Sequence, residues 1–370
     1  MNYAQSGGVA GVNFSQGTVI SGQTYTSTVS NNVITLNNTG IYTNTGVTFG
    51  FGIATGTIVA NNNTITINAT PTISSSTTSA KNWGINAAYV SATSTANNNT
   101  IIINQTFSPT AASQVLDGNS KGIDFAAATG ATSVTCNSNS ITYNQTNSPV
   151  GAVTSTMQGA LIGIDVSVVN ANISVLGNTV IANRSTSMSN SGATAVTSGY
   201  FYAIMDTAVS TTTTTPLPTA TIGSSGNGNT VTVKETASAT GTTTFSSNTR
   251  FINVATSTST AVVSIAYNTL NTTGGTIRST GSTFGIHNEG TFSNGITVTQ
   301  NTINIDRVGA SGGCYGTYET GTPSTVGHTI TNNTITFTNL AGTSTAFGIY
   351  SLGGLTAATN TKTINTNTIN

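Results

Sequence analysis

The chain has 370 residues, enough for two ordinary domains or one long repetitive one. Only 4% of them are charged, eight Lys or Arg against eight Asp or Glu, where a typical soluble domain carries about 25%. Zero net charge leaves no electrostatic case for nucleic acid or an anionic membrane, no stretch approaches the ~18 consecutive apolar residues of a membrane span, and the alternating Ile, Val and Thr argue against disorder.

The opening segment, MNYAQSGGVAGVNFSQGTVISGQTYTSTVSNN, is uncharged and strand-like, so residues 1–30 are expected to be irregular or to form a first coil. No basic segment followed by an apolar run, the mark of a signal peptide, stands out in it. From there a phrase recurs: NNTITINA at 62–69, NNTIIINQ at 98–105, QNTINIDR at 300–307 and NNTITFTN at 332–339. With the Asn before each Thr-apolar pair as position zero, the anchors are Asn32, Asn63, Asn99, Asn139, Asn178, Asn229, Asn268, Asn301, Asn333 and Asn367. Their spacing runs from 31 to 51 residues, a repeated core with loops of variable length, as in a solenoid.

Position +2 is apolar at every anchor, from Ile34 to Ile369, and position +4 usually is; +1 and +3 are mostly Thr, Ser or Asn. Period-two alternation of this kind predicts a half-buried strand. A second strand precedes each anchor (SVTCNSN, ISVLGN, VSIAYN, ITVTQN). A third follows a Gly/Ser/Thr-rich loop, and its signature is aromatic-Gly-Ile: FGFGIA, NWGINA, KGIDFA, LIGIDV, TFGIHN and AFGIYS. Three short strands cannot bury their apolar stripe alone, but stacked units can. The expectation is an all-β parallel β-helix of about ten coils, one domain over 1–370, roughly 45–50 Å long at ~4.8 Å per coil. Each anchor Asn shares parity with +2 and +4, so it should point inward at a bend and join its neighbours in an amide ladder.

Within that frame the few reactive residues can be weighed in order. Asp124 and Asp165 fall at the same place in adjacent coils, and the inward Ile before each predicts outward, solvated carboxylates stacked about 5 Å apart. Paired carboxylates at that distance suit glycoside hydrolysis, which makes them the candidate catalytic residues of an alternative reading, a polysaccharide lyase or hydrolase. Cys136 has inward parity, and Cys314 lies about five coils away, so two free thiols are expected, well beyond the ~7 Å limit for a disulfide. Pro216 and Pro218 in STTTTTPLPTA predict a protruding loop over 207–222. His287 and His328 lie in different strands, which speaks against a metal site, and no Gly-rich phosphate loop calls for a cofactor. The outward Thr of position +1, with partial Thr at +3, forms the array of a second alternative, ice binding; the +3 column is interrupted by Ile102, Ile181, Asn271 and Asn304. The chain stops at TNTIN inside a repeat strand, which fits either a segment of a longer solenoid or copies stacked head to tail.

The pattern NNTIT, FGIY, ITVTQN resembles right-handed parallel β-helices of the pectate-lyase type, which carry internal Asn ladders. More narrowly, NNTITFTNLAGTSTAFGIYSLGG looks like the repeats of long secreted surface proteins of Bacteroidota. The resemblance implies a right-handed coil, a secreted location at the cell surface and a structural or adhesive role rather than catalysis. It also implies, as partners, the chain itself or flanking repeats, with surface glycans as a further class.

Overall fold

The computed structural model describes residues 9–14, 25–49, 56–72, 77–87, 93–111, 113–125, 132–168, 170–207, 217–254, 260–272, 277–308, 311–321, 327–340, 345–352 and 361–370. They wind as a right-handed parallel β-helix with three walls, each a ten-stranded parallel sheet. The ladder wall runs from Val33–Asn38 to Thr368–Ile369 and holds the anchor strands. The glycine wall runs from Val9–Phe14 to Ala346–Ser351 and holds the expected aromatic-Gly-Ile strands except FGFGIA, whose coil supplies Asn44–Phe49 instead, residues 50–55 lying outside the described residues; the entry wall runs from Tyr25–Ser30 to Lys362–Asn365. Register follows the repeat: Ile65 pairs with Ile101, Ile101 with Ile141, and Ile141 with Val180, so the +2 residues form one buried column.

The doubled Asn of the repeat has two jobs. The first residue of the pair makes the corner in the left-handed region, with φ of 55° at Asn62, 56° at Asn98 and 58° at Asn332; a short polar side chain tolerates this where most residues do not. The second residue, the anchor, turns inward. Asn99 donates from Nδ2 to Asn139 Oδ1 at 2.9 Å and to the Ala60 carbonyl at 2.7 Å, and its backbone N–H also reaches Asn139 Oδ1, at 2.9 Å. The link repeats without a break from Asn32 to Asn367, at 2.9 to 3.0 Å throughout. Every corner amide therefore satisfies backbone groups that the bend would otherwise strand in the core.

The glycine of the third strand exists because the coil is thin. A Cβ on Gly84 would sit 2.6 Å from Ile101 Cγ2 and 2.5 Å from the Gly122 carbonyl oxygen, so the backbone lies directly on the +2 column. Gly84 and Ile85 both face inward, and the pairing register skips the glycine, which marks a bulge; Phe201–Asp206 and Thr249–Val254 skip Ala203 and Phe251 at the same place. The residue before the Gly and the residue after the Ile are thereby aimed outward.

Two features depart from the expected plan. Five middle coils carry a fourth parallel sheet, Thr77–Thr78, Gln114–Leu116, Thr154–Met157, Thr194–Thr197 and Thr242–Phe245, which roofs a satellite core of Ala80, Phe107, Leu116 and Met157. It forms on long links from ladder wall to glycine wall, although the similarly long link 272–282 carries only the isolated Ile277–Arg307 bridge among the described residues. In the first coil and the last two, that link is too short for an extra strand. The predicted loop over 207–222 is corrected at its end: Thr219–Ile222 is an entry-wall strand paired with Asn172–Leu176, since the prolines stop before it; residues 208–216 lie outside the described residues. Cys136 and Cys314 are both buried and free.

Candidate functional site

The bulges of the glycine wall line up two outward columns three residues apart. One contains Trp83, Lys121, Ile162, Tyr202, Arg250, Phe284, Tyr315 and Phe347; the other contains Asn86, Asp124, Asp165, Met205, Asn253, His287, Tyr318 and Tyr350. In a chain with so few charges and rings, this concentration on one face makes the strip the candidate site.

Its upper part holds the acid pair. Asp124 and Asp165 are register partners, as the repeat predicted, but they are not solvated: they are 6% and 1% exposed. Lys121 lies between them, with Nζ 3.0 Å from Asp124 Oδ2 and 2.8 Å from Asp165 Oδ2, and Ser167 Oγ donates to Asp165 Oδ1 at 2.7 Å. Burial alone pulls the Lys121 ammonium down, and the two carboxylates outweigh it, holding the group above its ordinary value. Sequence reading missed this cation. It lies three residues before Asp124, and only the bulge brings it to the same face.

The lower part is a two-column stack. The Arg250 guanidinium sits between Tyr202 at 5.6 Å and Phe284 at 5.5 Å. Phe284 stacks on Tyr315 at 5.0 Å, and Tyr315 on Phe347 at 5.8 Å. Alongside, His287 stacks on Tyr318 at 5.1 Å and Tyr318 on Tyr350 at 5.0 Å. The rings lie nearly parallel, at interplanar angles from 2° to 12°, so neighbours cover one another's faces and the strip offers edges and hydroxyls outward. His287 Nδ1 is 2.9 Å from Asn253 Oδ1, and burial, then the Arg250 charge, push its ring down to about 3.

A second outer feature lies on the ladder wall. Beside the Thr columns, Asn68, Asn104, Asn144 and Asn183 each donate from Nδ2 to the Asn of the preceding coil, from Asn37 onward, at 2.7 to 2.9 Å. This outer ladder runs opposite in polarity to the inner one. A shallow groove of about 280 Å³ marks the step where the fourth sheet ends, lined by Thr243, Thr244, Phe245, Arg278, Thr280 and Val308.

The interior carries charge too. Arg184 Nη1 meets Glu235 Oε1 at 3.0 Å, both buried, and Glu235 Oε2 accepts from the Arg278 N–H at 2.7 Å. Burial pushes the Glu235 carboxyl up, against the pull of Arg184 and neighbouring N–H groups. Buried Arg307 gives its protons to the carbonyls of Gly312, Ser279, Gly281 and Ser311. Near the last coil, buried His328 contacts Glu319 through Nδ1, and Lys362 Nζ lies 3.6 Å from the same carboxylate. His287 and His328 are not brought together, and no cluster of three His, Cys, Asp or Glu occurs among the described residues.

No family model, no curated protein and no solved structure matches the chain.

Proposed function

We propose that the chain is a structural and adhesive segment of an extracellular surface fibre, lengthened along its axis by copies of itself or by flanking repeats of a longer solenoid. The observation that carries this reading is the unbroken inner ladder, Asn32 to Asn367, inside three in-register parallel sheets. Such a rod resists extension because every coil is clamped to the next by backbone and amide hydrogen bonds at once. The glycine-wall strip is the adhesive face. Its balanced charge and its ring edges and hydroxyls suit neutral, hydroxyl-rich glycan chains better than charged polymers. A cleavage role for Asp124 and Asp165 would need a substrate to displace Lys121 from both carboxylates, so the strip favours contact over chemistry.

Immunogold labelling of the source cells tests the placement. Gold on external filaments is the expected result, and gold confined to the cell interior would contradict the reading.

A further inference from the structure

The glycine-wall strip holds a lysine amine against two buried carboxylates from adjacent coils, and we propose that Lys121 and Asp165 join in an intramolecular isopeptide bond, with Asp124 carrying the proton between them. Amide formation without a cofactor needs an amine, a carboxyl to be attacked and a second acid to move protons, and all three meet here. Lys121 Nζ lies 2.8 Å from Asp165 Oδ2 and 3.0 Å from Asp124 Oδ2. The other oxygen of Asp165, Oδ1, accepts from the Ser167 N–H at 3.2 Å and from Ser167 Oγ at 2.7 Å. Those two donors polarise the carbonyl and sit where negative charge develops when an amine adds to Cγ. The register that pairs Asp124 with Asp165, and the bulge that turns Lys121 to their face, build the site. The chemistry does not depend on the fibre reading.

In the ion pair the amine is an ammonium and both acids are carboxylates. One proton moved from Nζ to Asp165 Oδ2, along the 2.8 Å hydrogen bond, gives the reacting pair: a neutral amine and a carboxylic acid. The net charge of the cluster does not change. Burial pulls Lys121 toward the neutral amine while the two carboxylates favour the ammonium, so the reacting pair is the minor one and the bond forms slowly, once. Apolar Ile162 and Met205 flank Lys121 and Asp165 in the register and disfavour charge there. Nζ then adds to Cγ, and Asp124 takes a proton from the nitrogen and delivers it to the leaving Oδ2. The Cγ–Oδ2 bond breaks, so one ammonium and one carboxylate become one amide and one water, with no oxidant and no cofactor. Asn86, the register partner of Asp124 on its other side, has a buried Oδ1 with no hydrogen-bond partner among the described residues, an acceptor open to the proton that Asp124 carries. The bond fastens two successive coils on their outer face, as the Asn ladder does inside. It closes the 44-residue span between Lys121 and Asp165 into a ring, which restricts the unfolded chain.

The test is the mass of the full chain, purified, reduced and denatured. It should be lighter than the sequence requires by one water, and digestion should give a branched peptide joining Lys121 to Asp165, with no tryptic cut after Lys121. Full sequence mass and a cleavable Lys121, after prolonged incubation at neutral to mildly alkaline pH, overturn the proposal. Two variants separate the chemistry from folding. Lys121→Arg keeps a cation between the carboxylates but removes the amine, so it should fold and keep its water. A water loss that persists in Lys121→Arg belongs to another reaction, such as cyclisation at Asp117–Gly118, and overturns the proposal. Asp124→Asn keeps the shape but cannot take the proton. Followed in freshly synthesised chain of unchanged circular dichroism, its bond should form about a hundredfold more slowly, and a rate equal to that of the parent chain would overturn the role given to Asp124.

Discussion

Position in the repeat decides what each residue does, and the inner Asn has the most to lose. Replacing Asn139 by Ala removes its bonds to Asn178 Oδ1 and the Ala96 carbonyl, and leaves the Asn99 N–H and one of the two Asn99 Nδ2 protons without an acceptor. Buried groups left unpaired cost about 1–3 kcal/mol each, so Asn139→Ala should destabilise by roughly 3 kcal/mol or more in equilibrium denaturation. Tyr267 holds the left-handed corner at φ 60° that Asn31, Asn62, Asn98 and Asn332 hold in other coils, and it is 38% exposed. Tyr267→Asn should therefore stabilise, by about 1 kcal/mol, in the same measurement. The ladder was legible in the sequence because parity fixed it. The buried charges were legible by the same rule carried further: position +6 is Gln105, Gln145, Arg184, Glu235 and Arg307, all inward and all buried. Read only to +4, the parity leaves them hidden, and their charge argues for the surface.

At the scale of the strand, the aromatic-Gly-Ile signature proves to be two instructions. The Gly permits contact between walls, and the bulge it makes turns two columns outward. Gly122→Ala would place a Cβ 2.6 Å from the Gly163 carbonyl oxygen and 2.7 Å from Ile141 Cγ2. Backbone and a core Ile have little room to give, so a loss of about 1–3 kcal/mol is expected on thermal or chemical unfolding. Outward orientation of Asp124 and Asp165 followed from the sequence, but their burial did not. Strict alternation puts Lys121 on the opposite face from Asp124, and only the bulge reverses that. The fourth sheet was equally hidden, because its strands are short Thr- and Ser-rich segments without the alternation that marks a core strand.

For the whole molecule, few groups titrate, and two buried histidines set the pH response against one buried carboxyl, Glu235, which is pushed up and takes a proton more readily in the folded chain. Burial and the Lys362 charge push His328 down to about 4, and His287 is held near 3. Unfolded imidazole titrates near 6.5, so below that pH the unfolded chain binds protons that the folded one refuses. Stability should be level at neutral to mildly alkaline pH and fall as the pH drops from about 6.5 toward 4. Melting temperatures at pH 8, 6 and 4 check this, and a rise on acidification would contradict it.

If the ten in-register coils serve as a unit of a filament, as proposed, length is the property that tells that unit from a free-standing rod. The most direct measurement is electron microscopy of the purified chain, undenatured, across a dilution series. Filaments whose length grows with concentration, with an axial repeat near 48 Å from ten coils of ~4.8 Å, are the predicted result. Separate short rods of constant length at every concentration would contradict it.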